Sequence, residues 1–370
     1  MELIKNKKIK TVFKIITIII ILSKNLYSNS AIDVLKNDVS ASVLAMAGSN
    51  AALNLDIFSV NYNPATLGEI KSYQTAISYS NGFEDATYSY AALGMPFPTN
   101  IISNISKPYI AMSIYMTSLG DFIDRRINPD GTISEKKINA EKNTIVSFSY
   151  AEKITKETVI ISPTIKSKFE SNIGIGVKFI DSKLLDKYSA NTVAVDAGYY
   201  GNFVDIGFDF GISVSNAIGS IKYIEEKYNL PTILRVAASY SKPTIMDQRT
   251  KISCEFDRYI NDKQNSLRIG LEYTFEKIMS IRTGYRFLED NKGLSIGVGL
   301  FAGGFSIDIA TVFYDVYKYS SVSIKFKFGK QVEEEKQSKE LKKFIEKEEK
   351  KTDRPSRPKT SPLKNQIIVF

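Results

Sequence analysis

The 370-residue chain has no histidine, no tryptophan and one cysteine, Cys254. Without imidazole there is no Ser-His-Asp or Cys-His relay, no His-ligated zinc and no group that changes charge near neutral pH. A lone thiol excludes an intramolecular disulfide and every multi-cysteine metal site. Long apolar runs are missing too: the strongest, residues 15–22, falls far short of the roughly 20 residues a membrane helix needs. No phosphate loop is implied either, since the Gly-rich pieces at 174–176 and 297–299 read as strand glycines. No cofactor, metal or enzymatic activity is expected.

What is present is charge, and its placement matters more than its sum. The chain carries 49 Lys+Arg and 40 Asp+Glu, a net of +9. Residues 1–30 hold six Lys and one Glu, residues 329–370 hold twelve basic and eight acidic groups, and the stretch between is balanced at 31 against 31. A basic nucleic-acid-binding face is therefore not expected. Lys5, Lys7, Lys8, Lys10 and Lys14 precede the apolar run, and Ser28, Asn29, Ser30 and Ala31 follow it. That layout reads as a secretory signal peptide over 1–30 cleaved near Ser30, with an N-terminal anchor helix as the alternative. Cys254 lies far from this region, so a lipoprotein anchor is excluded.

Beyond residue 70 the apolar pattern repeats every second residue, the mark of strands with two different faces. Val204, Ile206, Phe208, Phe210, Ile212 and Val214 alternate with Asp205, Gly207, Asp209, Gly211, Ser213 and Ser215. Fourteen such segments are expected, at 74–80, 86–95, 108–117, 143–151, 172–182, 190–200, 203–215, 232–241, 251–260, 266–275, 278–287, 293–301, 304–314 and 319–328. Alternation alone does not separate a membrane barrel from a soluble sandwich. Segment length near the roughly 9–11 residues of a tilted membrane strand favours the barrel, as do hairpin order and an even count. Tyr79, Tyr115, Tyr150, Tyr240, Tyr273, Tyr314 and Tyr319 fall near strand ends, where an interfacial aromatic girdle would sit. Short connections at 201–202, 276–277 and 302–303, against long ones at 118–142 and 216–231, place the chain termini on the periplasmic side. The twenty residues 152–171 break that parity.

Residues 31–70 are different: small side chains around Gly48, then Asn63-Pro64-Ala65 and Gly68, suited to a compact helical hatch inside the lumen. Lumen-facing Gly174, Gly176, Gly207, Gly211, Gly297 and Gly299 would leave it room. The Ala45-Met-Ala-Gly48 stretch, Asn63-Pro-Ala65 with Gly68, and Phe83-Glu-Asp85 resemble PorV/PorQ-type outer-membrane proteins, relatives of the FadL fatty-acid transporters. So do Tyr115 through Gly120-Asp121, 174–179, 267–273 and Arg282-Thr-Gly-Tyr285, over about 40–328. Two departures are Thr66, where the family has glycine after Asn-Pro-Ala, and the chain beyond the last strand. The resemblance implies an all-β, fourteen-stranded antiparallel outer-membrane barrel over 71–328 with an N-terminal hatch in its lumen.

Asp196, Asp205, Asp209, Arg235, Glu255, Arg268, Glu272, Arg282, Arg286 and Asp308 are the expected lumen charges, either pairing with one another and the hatch or lining a polarised solute path. Cys254, alternating with Ile252 and Phe256, is expected to face lipid. The charged, Pro-containing tail 329–370 is either disordered or docks on a periplasmic partner. Two functions follow from the resemblance: handling of secreted cargo proteins, as in type IX secretion, or FadL-like passive uptake of hydrophobic solutes. A purely structural outer-membrane protein is the third reading.

Overall fold

The computed structural model describes residues 30–53, 56–163, 165–243, 248–288 and 292–329. The expected signal segment before Ser30 and the tail beyond Gly329 lie outside the described residues. Among these residues, fourteen strands close into an antiparallel barrel in which β1 pairs with β16 and no edge is left. In chain order they are β1 (Tyr73–Asn81), β2 (Thr87–Pro96), β3 (Tyr109–Ile127), β4 (Ile133–Ser162), β5 (Ile165–Leu184), β6 (Tyr188–Phe203) and β7 (Phe208–Ala217). A two-stranded ribbon, β8 (Ser220–Lys222) and β9 (Lys227–Asn229), interrupts them. The barrel resumes with β10 (Ile233–Pro243), β11 (Arg249–Tyr259), β12 (Gln264–Phe275), β13 (Met279–Phe287), β14 (Gly293–Ala302), β15 (Phe305–Tyr314) and β16 (Lys318–Phe328). We call the end where β1 starts and β16 stops the terminal end, and the opposite one the far end.

The alternation sorts cleanly onto two faces. Ile77, Leu93, Ile175, Ile281, Leu300 and Ile309 point outward and are 54–58% exposed, whereas the intervening Ser78, Ala92, Gly176, Arg282, Gly299 and Asp308 face the lumen. Cys254 is exposed on the outer face, as its alternation with Ile252 and Phe256 implies. An apolar exterior around a closed sheet is what hydrocarbon demands, since an unpaired backbone group there costs several kcal/mol. Outward aromatics gather at both rims. Tyr73 stacks on Phe328 at 5.5 Å and Phe169 meets Phe203 at a tilt at 4.9 Å at the terminal end, and Tyr285 meets Phe287 at 4.5 Å at the far end.

Three expectations are corrected. Residues 152–171 are no irregular insertion: β4 and β5 continue past the barrel as a hairpin ribbon at the terminal end, so the parity of the connections is intact. The segment 203–215 is not one strand, because Gly207 takes φ 69° and residues 204–207 turn between β6 and β7. Of the seven girdle tyrosines, Tyr115 and Tyr319 are buried in the lumen, and Tyr314 shares the lumen face of Asp308 and Val312. Tyr79, Tyr150, Tyr240 and Tyr273 do lie on the outer face.

Residues 31–53 and 56–70 fill the lumen as a series of short turns. The only α-helix among the described residues, α1 (Ala41–Ala45), is fully buried. The segment enters at the far end, where Lys36 pairs with Asp262 of the β11–β12 turn at 2.9 Å. It then winds along the inner wall in strand order. α1 lies against β14, β15 and β16, and Met46 against β12 and β13. Ala51 lies against β7, and Asn63 to Glu69 against β6, β5 and β4. It leaves at the terminal end, where Lys153 of β4 pairs with Glu69 at 3.0 Å.

Candidate functional site

The site is the plugged lumen, and its wall is cut to the hatch. A Cβ added at Gly174 would run into the backbone of Pro64 and Ala65, one at Gly211 into the Ala51 carbonyl, and one at Gly297 would lie 2.6 Å from Ala45 Cβ. Gly176 and Gly299 instead abut Ser149 and Asp308 within the wall, and Gly207 sits in its turn. The sequence reading missed Gly198, which faces the Asn63 side chain, and Gly270 and Gly284, which face Met46.

The hatch motif residues are all at work there. Asn63 caps the turn Pro64–Glu69 by accepting from the Ala65 N–H at 3.1 Å, and its Nδ2 donates to the carbonyls of Ala51 (2.8 Å) and Tyr199 (3.1 Å). Gly48, at φ 87°, turns the chain after α1 beside Arg268 and Asp38, and Gly68 packs against Asn172.

Nine of the ten expected lumen charges face inward. Asp205 does not: it lies exposed in the 204–207 turn, where its carboxylate accepts from the Lys168 N–H at 2.6 Å. The others pair across neighbouring strands or hold the hatch. Asp196 meets Lys178 at 2.8 Å, and Arg282 bridges Glu272 (2.5 Å) and Asp308 (2.6 Å). Arg268 meets Asp257 at 3.1 Å, and Arg235 stands 3.8 Å from both Glu255 and Asp257. Asp209 accepts from Tyr200 (3.0 Å) and Ser239 (3.2 Å). Glu255 accepts the backbone N–H groups of Asn50 (2.8 Å) and Ala51 (2.7 Å), and Arg286 binds Asp38 at 2.8 Å. The hatch supplies further partners that alternation could not reveal, among them Asp56, which pairs with Lys325. At the far mouth burial pushes the Asp262 carboxyl up, but hydrogen bonds from Lys36 and Ser30 hold it below its ordinary value.

Above the hatch a recess of about 60 Å³ lies at the far end, walled by Phe83, Tyr88, Tyr314, Tyr317 and Tyr319 and floored by Asp38 and Arg286. It has room for a few waters. The Arg286 guanidinium stands 5.9 Å from the Tyr314 ring, within reach of a cation–π attraction. The connection carrying β8 and β9 closes over the hatch nearby, with Ile221 and Leu230 buried and the Asn229 carbonyl accepting from the Ala31 N–H at 2.9 Å.

No family model matches the chain, and no curated protein does. Solved structures similar to it include the toluene transporter TbuX of Ralstonia pickettii, at 11% identity over 78% of this chain and 98% of that one, TM-score 0.47. Another is a FadL homologue of Pseudomonas aeruginosa, at 9% identity over 79% and 98%, TM-score 0.49. A third is the CymD monoaromatic hydrocarbon channel, at 11% over 79% and 98%, TM-score 0.48. Likenesses this distant say nothing about a solute. The closed sheet, its apolar outer belt and its aromatic rims define the class by themselves: a bacterial outer-membrane β-barrel.

Proposed function

We propose that the barrel is a gated, passive conduit for hydrophobic small molecules, with the far-end recess as its point of entry. The observation that carries this reading is the pairing of a lumen filled by the hatch with a mouth walled by five aromatic rings. A porin for polar solutes needs an aqueous lumen, and here that space holds residues 31–53 and 56–70. As it stands the recess holds only a few waters, so a solute enters when the rings part, its apolar body against them and a small polar group toward the Arg286–Asp38 floor. Handling of secreted proteins rests on the PorV/PorQ likeness alone, and the tail that would serve it lies outside the described residues.

The test is uptake of a labelled aromatic or long-chain probe by cells with and without the protein. Expression raises uptake, and Tyr317→Asp, which puts a charge at the recess, cuts the gain by about tenfold, the equivalent of ~1.4 kcal/mol of lost binding. Uptake that ignores both changes favours a structural role.

A further inference from the structure

The barrel has a second hollow, on its outside. Leu93, Met95, Met112, Phe148, Ile175 and Val177 of β2 to β5 border a space of about 410 Å³ on the lipid-facing wall. That falls in the roughly 300–1,000 Å³ range of small-molecule sites. The hollow spans four strands in the terminal half of the wall, and Met112, Phe148 and Ile175 are exposed around it.

At its lower edge the connection between β2 and β3, residues 97–108, folds up against the outer surface as a flap. The reason is Glu152. It shares the outward face of β4 with Tyr150, yet it is 0% exposed. Its carboxylate accepts from the backbone N–H groups of Ile101 (3.2 Å), Ile102 (2.9 Å) and Ser103 (2.6 Å), from Asn100 Nδ2 (3.0 Å) and from the Tyr150 hydroxyl (2.6 Å). A bare carboxylate on a lipid-facing wall is costly, and the flap sheathes it. The flap turns Ile101 and Ile102 outward at 72% and 60% exposed, and its only charged residue is Lys107, also exposed.

We propose that the hollow seats one acyl chain of a phospholipid from the leaflet at the terminal end, with the lipid phosphate on Lys107. The occupant follows from the surroundings. The hollow is continuous with the belt that already faces lipid, and its border is apolar. Beside it stands a flap that offers isoleucines to a bilayer and a single cation, with no exposed acid, to a headgroup. The seat does not depend on the conduit reading, and its test reads no solute flux.

The test uses the full-length barrel in vesicles doped with a phospholipid carrying a photoreactive acyl chain, followed by peptide mapping. Crosslinks concentrate on peptides containing Phe148 and Ile175. Filling the hollow with Val177→Trp lowers them about tenfold, and Lys107→Glu, on the exposed flap and harmless to the wall, lowers them severalfold. Leu271→Trp, lipid-facing on another strand, leaves them unchanged. Crosslinks spread evenly around the belt, indifference to Lys107→Glu, or capture of a protein in place of lipid would each overturn the proposal.

Discussion

Single residues hold the plug, and Asn63 is the clearest case. One side chain caps a turn, clasps Ala51 within the hatch and reaches the Tyr199 carbonyl of the wall beside Gly198. Asn63→Ala should cost about 1–3 kcal/mol, the sum expected of a lost cap and stranded buried partners, read as a lower urea midpoint of the folded barrel. Asp56 is buried and pairs with the part-buried Lys325, and removing the lysine strands the carboxylate. Lys325→Met alone should destabilise by about 3–5 kcal/mol, and the added Asp56→Asn should return part of it. The far-mouth pair of Lys36 and Asp262 gives a pH dependence. The Asp262 pKa is lowered in the folded state, so its contribution is complete above the ordinary carboxylate value of about 3.9 and is lost as pH falls through the lowered one. In a Cys254→Ser background, Val34→Cys should resist 4,4′-dithiodipyridine, whose protonated pyridine leaving group keeps it thiol-reactive in acid, near pH 6 and become reactive in strong acid. Sequence named Asn63 from its Asn-Pro turn. It could not say which way Tyr115, Tyr314 and Tyr319 point, because an amphipathic ring suits a lumen and a membrane rim alike.

At the scale of elements, alternation made the strands legible wherever one face met lipid. It failed where both faces meet water. The extensions of β3 and β4 beyond the far rim, and of β4 and β5 beyond the terminal rim, mix charged and apolar residues on both faces, with Phe122 beside Ile123 and Val159 beside Ile160, so no alternation marks them and they read as loop. The opposite error occurred at 203–215, where the pattern runs on through a turn that the positive φ of Gly207 makes possible. The glycine cradle was half legible. Strand glycines advertise a close approach, but which hatch atom fills each one depends on contacts between residues far apart in sequence. The cradle predicts that Gly198→Ala, whose methyl would meet Asn63, destabilises by about 1–3 kcal/mol as overpacking does. Loss of the heat-modifiable gel shift of the folded barrel at lower temperature would register it. Gly303→Ala, at an exposed turn with open space around it, should cost only the backbone strain of its positive φ.

For the whole molecule, the charge of +9 belongs to the two ends, and the barrel between them is balanced and internally paired. Its orientation is open to direct test. Arg125, Arg126 and Lys137 lie exposed near the far tip of β3 and β4, and Lys156, Lys166 and Lys168 on the ribbon at the other end. Trypsin added to intact cells should cut the first set and spare the second, and the reverse pattern would invert the barrel. A lumen plugged by its own hatch, on the reading proposed above, passes apolar molecules and excludes ions. The most direct measurement of this places the purified barrel in vesicles with lipopolysaccharide in the outer leaflet, and records entry of an aromatic probe and ionic conductance together. Probe entry should be faster than in protein-free vesicles, with conductance at the level of the bare membrane. A steady ionic conductance, or probe entry no faster than without protein, would contradict it.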